Sequence, residues 1–105
     1  DCTELISYAY ETPLYRTNEF ANNPHFREVD KPQPGDVIIW RATDPEGSRE
    51  GHGAIYTGKG NDKEILHSEG GTGVHYSKDD ISDYFKGNKF TNVEVKYYRR
   101  REDNE

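Results

Sequence analysis

The chain has no methionine and only one cysteine, Cys2, among its 105 residues. A single cysteine excludes a disulfide within the chain, so the thiol is expected to be buried, reactive or metal-bound. No apolar run approaches the roughly 20 residues of a membrane span, and no signal peptide is recognisable. Because methionine is missing even at position 1, we expect the sequence to be a fragment or a processed product.

Positive charge is also scarce, since the formal net charge is -6. This balance argues against a general affinity for nucleic acid or for an anionic membrane. Hydrophobic residues make up only 30% of the chain, but eight tyrosines, four phenylalanines and Trp40 can fill a small core. The length fits one domain spanning residues 1–105.

Periodicity predicts an α+β domain. Cys2, Leu5, Ile6 and Ala9 have the spacing of an amphipathic helix, which should end before Pro13. The proline-rich segment 12–35 should be mostly loop, with a short helix near residues 18–22. The apolar run DVIIWR is typical of a central strand buried on both faces. After a polar loop, the stretches HGAIY, EILHSE and GVHY read as three short strands.

The remainder of the chain completes the predicted fold. A capped helix is expected from Ser77 to about Phe85, and NVEVKYYRR should form the last strand. The prediction is therefore an N-terminal helix that carries the cysteine and packs on an antiparallel sheet of about four to five strands.

Cys2 has the local sequence of a residue at a helix start. With Asp1 as the N-cap, Asp1 and Glu4 have the spacing of a capping box, and Cys2 lies in the first turn. The helix dipole favours a thiolate there, whereas the two nearby carboxylates oppose one. Ionisation near neutral pH therefore needs a histidine partner. The alternative is that Cys2 is simply a buried member of the apolar stripe.

Two histidines lie in the predicted strands. If HGAIY and EILHSE form a hairpin with a two-residue loop, the sequence positions of any two directly opposed residues add up to 119 or to 121. The first register sets His52 opposite His67, and the second sets His52 opposite Glu69 with His67 on the diagonal. Either register puts both histidines on one face, so that Cys2, a histidine base and an orienting polar group could form a triad. His25 and His75 are expected to be solvated.

The ordered stretches DCTEL, PGDVIIW, GHGAIYTG and ILHSEGGTGVHY resemble the NlpC-like cell-wall cysteine peptidases of the NlpC/p60 superfamily, which have a papain-like fold. The resemblance implies that Cys2 is the nucleophile, His52 the base and His67 the third catalytic residue. It also implies that Asp1 and Thr3 bind the free amine of the substrate.

The activity implied is hydrolysis of an amide in peptidoglycan stem peptides, most often the γ-D-glutamyl to diamino-acid bond. It would proceed through a thioester acyl-enzyme without metal or cofactor. The protein would then be secreted, periplasmic or associated with the cell wall. The loop from Ala42 to Gly51 is either a lip of the substrate groove or an ordinary turn.

The sequence departs from the family pattern at two points. Thr3 and Glu4 stand where the family has serine and glycine, and the family's upstream segment with its tyrosine does not precede Asp1. Either that segment was cut away or lies on another chain, or the site is incomplete. The partners expected besides stem peptides are thus a missing upstream segment, a neighbouring domain or an inhibitor protein.

Four alternatives stay open. They are a CHAP-type amidase whose third group lies near Glu69, an amidase toxin delivered against a competitor, a homologue that binds wall peptide without turnover, and a zinc site formed by Cys2, His52 and His67.

Overall fold

The first helix, α1, spans Cys2–Tyr10 in the computed structural model. The structure describes residues 2–47, 49–58, 65–69, 73–77, 90 and 92–101, and for Cys2 and the ranges 65–69 and 73–77 it describes the backbone. Ile6, on the predicted apolar stripe, is 1% exposed and anchors α1 to the core, and Leu5 packs against the same cluster. Ala9 is exposed, so the predicted helix is confirmed but its apolar stripe is confirmed only in part.

The end of α1 is set by backbone geometry before Pro13 is reached. Glu11 takes a left-handed φ of 53°, and the Thr12 N–H donates to the Ser7 carbonyl over 3.2 Å. The Ser7 hydroxyl donates in turn to the Thr12 carbonyl over 2.6 Å. This is a Schellman motif, which satisfies carbonyls at the helix end, with Glu11 in the position that glycine usually takes.

Among the described residues, six strands form one antiparallel sheet in the order β1-β6-β2-β3-β4-β5. Their bounds are Phe26–Val29 (β1), Val37–Thr43 (β2), Arg49–Tyr56 (β3), Ile65–Glu69 (β4), Gly73–Ser77 (β5) and Asn92–Arg100 (β6). The last strand therefore inserts between the first two. The α+β class is confirmed, and the sheet has one strand more than the four to five expected.

The additional strand is β1, which lies in the segment predicted to be mostly loop. Its four residues pair with β6, so that Phe26 is opposite Arg100 and Val29 is opposite Tyr97. A four-residue strand between prolines carries little periodic signal, and its conformation is decided by pairing with a distant segment. The predicted short helix is a single 3-10 turn at Thr17–Glu19.

The polar loop between β2 and β3 is shorter than predicted. Ala42 and Thr43 belong to β2, and β3 already begins at Arg49, which is opposite Thr43. The Asp44 carboxylate accepts the Glu46 N–H over 3.0 Å, which closes a turn at this point. The expected loop from Ala42 to Gly51 is therefore wrong at both ends, because strand pairing extends into it.

The sheet has an apolar cluster on each face. One face packs against α1, and its buried residues are Ile6, Phe20, Phe26, Val37, Ile39, Ile55 and Tyr98. The other face holds Ile38, Trp40, Ala42, Ala54, Tyr56 and Phe90. Successive residues of β2 alternate between the two clusters, which confirms that this strand is buried on both faces.

Two sequence predictions lie outside the described residues, namely the helix from Ser77 to about Phe85 and the turn around residues 59–62. Within the part of the chain that the structure describes, no helix is long and apolar enough to cross a membrane.

Candidate functional site

Cys2 is the first residue of α1, as the sequence predicted. A helix start offers free N–H groups and the positive end of the helix dipole, both of which favour a thiolate. Asp1 lies outside the described residues, so the capping box with Glu4 and the substrate-binding role of Asp1 stay predictions.

Thr3 follows Cys2 and is 6% exposed. Its burial results from the close approach of α1 to β3 at Gly53. A Cβ atom at Gly53 would lie 3.0 Å from Cδ1 of Ile6 and 3.6 Å from Cγ2 of Thr3. Gly53, the residue after His52, thus lets the first turns of α1 pack directly on the sheet. The substrate-binding role of Thr3 stays a prediction.

His52 lies in β3 opposite Trp40 of β2. The two rings are tilted by 40° with their centroids 5.9 Å apart, and the His52 side chain is half-buried. Trp40 belongs to the cluster on the face away from α1. In the described structure, the His52 ring therefore lies beside Trp40, on the face of the sheet opposite to the face on which α1 packs.

His67 and Glu69 lie in β4, whose pairing with β3 has one of the two predicted registers. Ile55 is opposite Leu66 and Tyr56 is opposite Ile65, so the position numbers sum to 121. These are the two residue pairs that β3 and β4 form; the same register, if continued along the strands, would set Glu69 opposite His52 and His67 on the diagonal. Their side chains lie outside the description, so the assignment of the third catalytic residue to His67 stays a prediction.

The two other histidines occupy defined positions. The His25 ring lies 6.0 Å from the Tyr15 ring, and the His25 carbonyl accepts the Arg101 N–H over 2.8 Å, so this residue is half-buried instead of fully solvated. His75 lies in β5 opposite His67. No sequence pattern predicted this pairing, because it depends on the register of the β4 and β5 strands.

The main ionic contact of the described core lies at the other end of β3. Asp36 precedes β2 and accepts two hydrogen bonds from the Arg99 guanidinium, over 2.9 Å to Oδ1 and 2.8 Å to Oδ2. The hydrogen bond to Asp36 raises the pKa of Arg99. Because the Asp36 carbonyl also accepts the Tyr56 N–H over 2.8 Å, this pair fixes the end of β3 that is remote from His52.

Two further features of the described residues bear on ligands. A cavity of about 40 Å³ lies between the 3-10 turn and the strands β2 and β6, bordered by Thr17, Arg41 and Lys96. This volume holds only a few water molecules, and so it is too small for a peptide. Among the described residues, no three His, Cys, Asp or Glu side chains are grouped as metal ligands.

Comparison of the chain with protein-family models, with curated proteins and with solved structures finds no match. The resemblance to the NlpC-like peptidases accordingly rests on the sequence motifs alone.

Proposed function

We propose that the protein is a papain-like cysteine amidase that hydrolyses an amide bond in peptidoglycan stem peptides. The observation that carries this proposal is the position of Cys2 at the first residue of α1. In addition, α1 packs on β3 and approaches β4, the strands that contain His52 and His67. The motif resemblance supplies the substrate class.

In the proposed reaction, the base removes the Cys2 thiol proton and the thiolate attacks the amide carbonyl carbon. The Cys2 backbone N–H, free at the helix start, donates to the oxyanion that forms. The C–N bond then breaks, and the base returns its proton to the leaving amine. Water hydrolyses the resulting thioester and regenerates the thiol.

A base is required because the helix start alone is too weak to ionise the thiol. An exposed helix end contributes about 0.3–1 kcal/mol, which is less than one unit of the thiol pKa. The resemblance assigns the base to His52, but this is the part of the proposal that the described geometry does not support, because the His52 ring lies beside Trp40 on the other face. The coupling of Cys2 to His52 is therefore the decisive test.

Alkylation by iodoacetamide measures this coupling directly, because Cys2 is the only thiol in the chain. We expect the wild-type protein to react well below the ordinary cysteine pKa of about 8.5, and His52→Ala to lose this early reactivity. His25→Ala, which removes a histidine that contacts Tyr15, is the control and should react like the wild type. Identical pH profiles for wild type and His52→Ala would show that Cys2 and His52 are not coupled.

The second candidate function is binding of wall peptide without turnover. It is favoured by one observation, the position of the His52 ring beside Trp40 on the face of the sheet away from α1. Digestion of purified peptidoglycan, with mass spectrometry of the new termini, distinguishes the two functions. An amidase should release fragments that Cys2→Ser does not release. If both proteins bind wall peptide and neither releases fragments, the binding function is correct.

A further inference from the structure

We infer that the cavity between the 3-10 turn and the strands β2 and β6 binds a carboxylate group, with the Arg41 guanidinium as the group that pairs with it. The inference uses none of the proposed catalytic residues and does not depend on the proposed amidase activity.

The cavity is made possible by a glycine beneath the 3-10 turn. Gly51 is opposite Arg41 in the pairing of β2 with β3. A Cβ atom at Gly51 would lie 2.9 Å from Cβ of Thr17, so a larger residue there would push the turn away from the sheet. With glycine at this position, the Thr17 and Asn18 side chains border the same cavity as Arg41. The hydroxyl, the amide and the guanidinium can all donate hydrogen bonds into it.

Arg41 is half-buried, and its side chain has no ion pair or hydrogen bond among the described residues. The expected partner is Glu94, which is opposite Arg41 in the pairing of β2 with β6. The Glu94 carboxylate instead lies 3.7 Å from Nζ of Lys96, which also lies 3.6 Å from the Glu28 carboxylate. Two carboxylates thus compensate the charge of Lys96, whereas the charge of Arg41 is left for an anion in the cavity.

The size and the donors of the cavity favour a carboxylate among anions. A cavity needs about 10–15 Å³ to hold one water molecule, so about 40 Å³ can take the three non-hydrogen atoms of a carboxylate. A guanidinium matches the two carboxylate oxygens with two parallel N–H bonds. Phosphate is larger and carries more charge, so the Glu94 carboxylate at the border of the cavity would repel it more strongly.

A nuclear magnetic resonance titration of the full chain with sodium acetate, in exchange for chloride at constant ionic strength, tests the inference. The Arg41 Nε–H signal and the backbone signals of Thr17 and Asn18 should shift and saturate together. Arg41→Gln should weaken acetate binding by at least about tenfold, because the charge-assisted hydrogen bonds are lost. Arg100→Gln removes the same charge from an exposed arginine that does not border the cavity, and this matched control should bind within about twofold of the wild type.

Glu94→Gln should have the opposite effect to Arg41→Gln. It removes the carboxylate that repels the ligand, so acetate should bind at least about twofold more tightly. A folding defect of the variant cannot produce a gain in affinity. Unchanged affinity in Arg41→Gln, weaker binding by Glu94→Gln, or shifts at Arg100 as large as those at Arg41 would each overturn the inference.

A second pair of ligands tests the need for the carboxylate itself. N-acetyl-alanyl-alanine should bind in the same titration, whereas its C-terminal amide should not, and equal binding of the two would overturn the inference. Tighter binding of the acid than of acetate supports a peptide terminus as the ligand of the site. Equal affinity of the acid and acetate supports a small free acid.

Discussion

At the scale of single residues, Asp36 holds together three parts of the chain. Its side chain is 4% exposed, and its carboxylate accepts the Gln33 N–H over 2.7 Å in addition to the two bonds from Arg99. Arg99 is itself 28% exposed, so solvent screens part of the ionic attraction. The main contribution of Asp36 is thus to accept three part-buried hydrogen bonds at the start of β2.

Replacement of Asp36 by alanine should lower the free energy of unfolding by about 1–3 kcal/mol, because donors at a buried site lose their acceptor. Urea denaturation measures the change. Glu94→Ala is the matched control, since Glu94 pairs with Lys96 over 3.7 Å while 57% exposed. Glu94→Ala should lower the free energy of unfolding much less, and equal losses in the two variants would contradict the stabilising role assigned to Asp36.

Single substitutions can also test which residue is the proposed third member of the catalytic site. On the amidase proposal, His67→Ala should reduce turnover strongly but leave residual activity, because an orienting group contributes less than the base. His67→Asn should recover part of the loss, since a carboxamide oxygen can accept a ring N–H.

Glu69→Gln is the comparison for His67→Ala in the same peptidoglycan assay, and it should have little effect. The register observed at Ile55 and Tyr56, if continued to the other end of β4, would set Glu69 opposite His52. If Glu69→Gln is the damaging change and His67→Ala is mild, Glu69 orients the base, as in a CHAP-type amidase.

At the scale of elements, the contact between α1 and β3 decides which face of the sheet the helix covers. A Cβ atom at Gly53 would meet Cδ1 of Ile6 at 3.0 Å and Cδ1 of Ile39 at 3.2 Å. Both isoleucines are almost fully buried, so neither can move freely. The absence of a side chain at Gly53 is therefore required by the packing of α1 on this face.

Gly53→Ala should lower the free energy of unfolding by about 1–3 kcal/mol through overpacking. The cost should shrink in an Ile6→Val background, which removes the nearest methyl group. Ile38→Val removes the equivalent methyl group from the cluster on the other face, and it should leave the cost of Gly53→Ala unchanged. Double-mutant cycles from urea denaturation measure both couplings, and equal costs in the two backgrounds would mean that α1 does not lie over Gly53.

At the scale of the whole molecule, tyrosine ionisation couples stability to alkaline pH. The Tyr10 hydroxyl donates to the Gly35 carbonyl, which joins the end of α1 to the start of β2. Burial, and then the charge of Asp36, raise the pKa of Tyr10 above its ordinary value of 10.0, while Arg100 opposes this shift. Burial raises the pKa of Tyr98 as well.

Because the folded pKa of Tyr10 is raised, its contribution to stability is complete below the unfolded pKa of about 10. Above that pH the unfolded chain loses the phenol proton first, so stability falls until the folded pKa is passed. Tyr10→Phe should make this loss less steep, as measured by urea denaturation at a series of pH values. Tyr8→Phe, at a side chain 86% exposed, is the control. Equal slopes in wild type and Tyr10→Phe would contradict the prediction.

Strong local patterns allowed much of the fold to be predicted from the sequence. The stripe of α1 and the apolar run of β2 need no distant partner to be recognised, and the helix and the doubly buried strand that they predict are confirmed. The four-residue strand β1 had no such pattern, because its extended form depends on pairing with β6 across about seventy residues of chain. The sequence analysis also placed the ends of β2 and β3 incorrectly, for a related reason. The polar residues there become part of the strands only because β2 and β3 pair with each other.

Local periodicity was enough to predict that Cys2 begins a helix and that β2 is buried on both faces, because periodicity depends only on residues that are close in the chain. It could not determine which face of β3 the helix covers. Alternation separates His52 from Gly53, but it does not say which of the two meets α1. The tertiary structure decided this by close packing, since Ile6 fits over the glycine and leaves His52 beside Trp40 on the other side of the sheet.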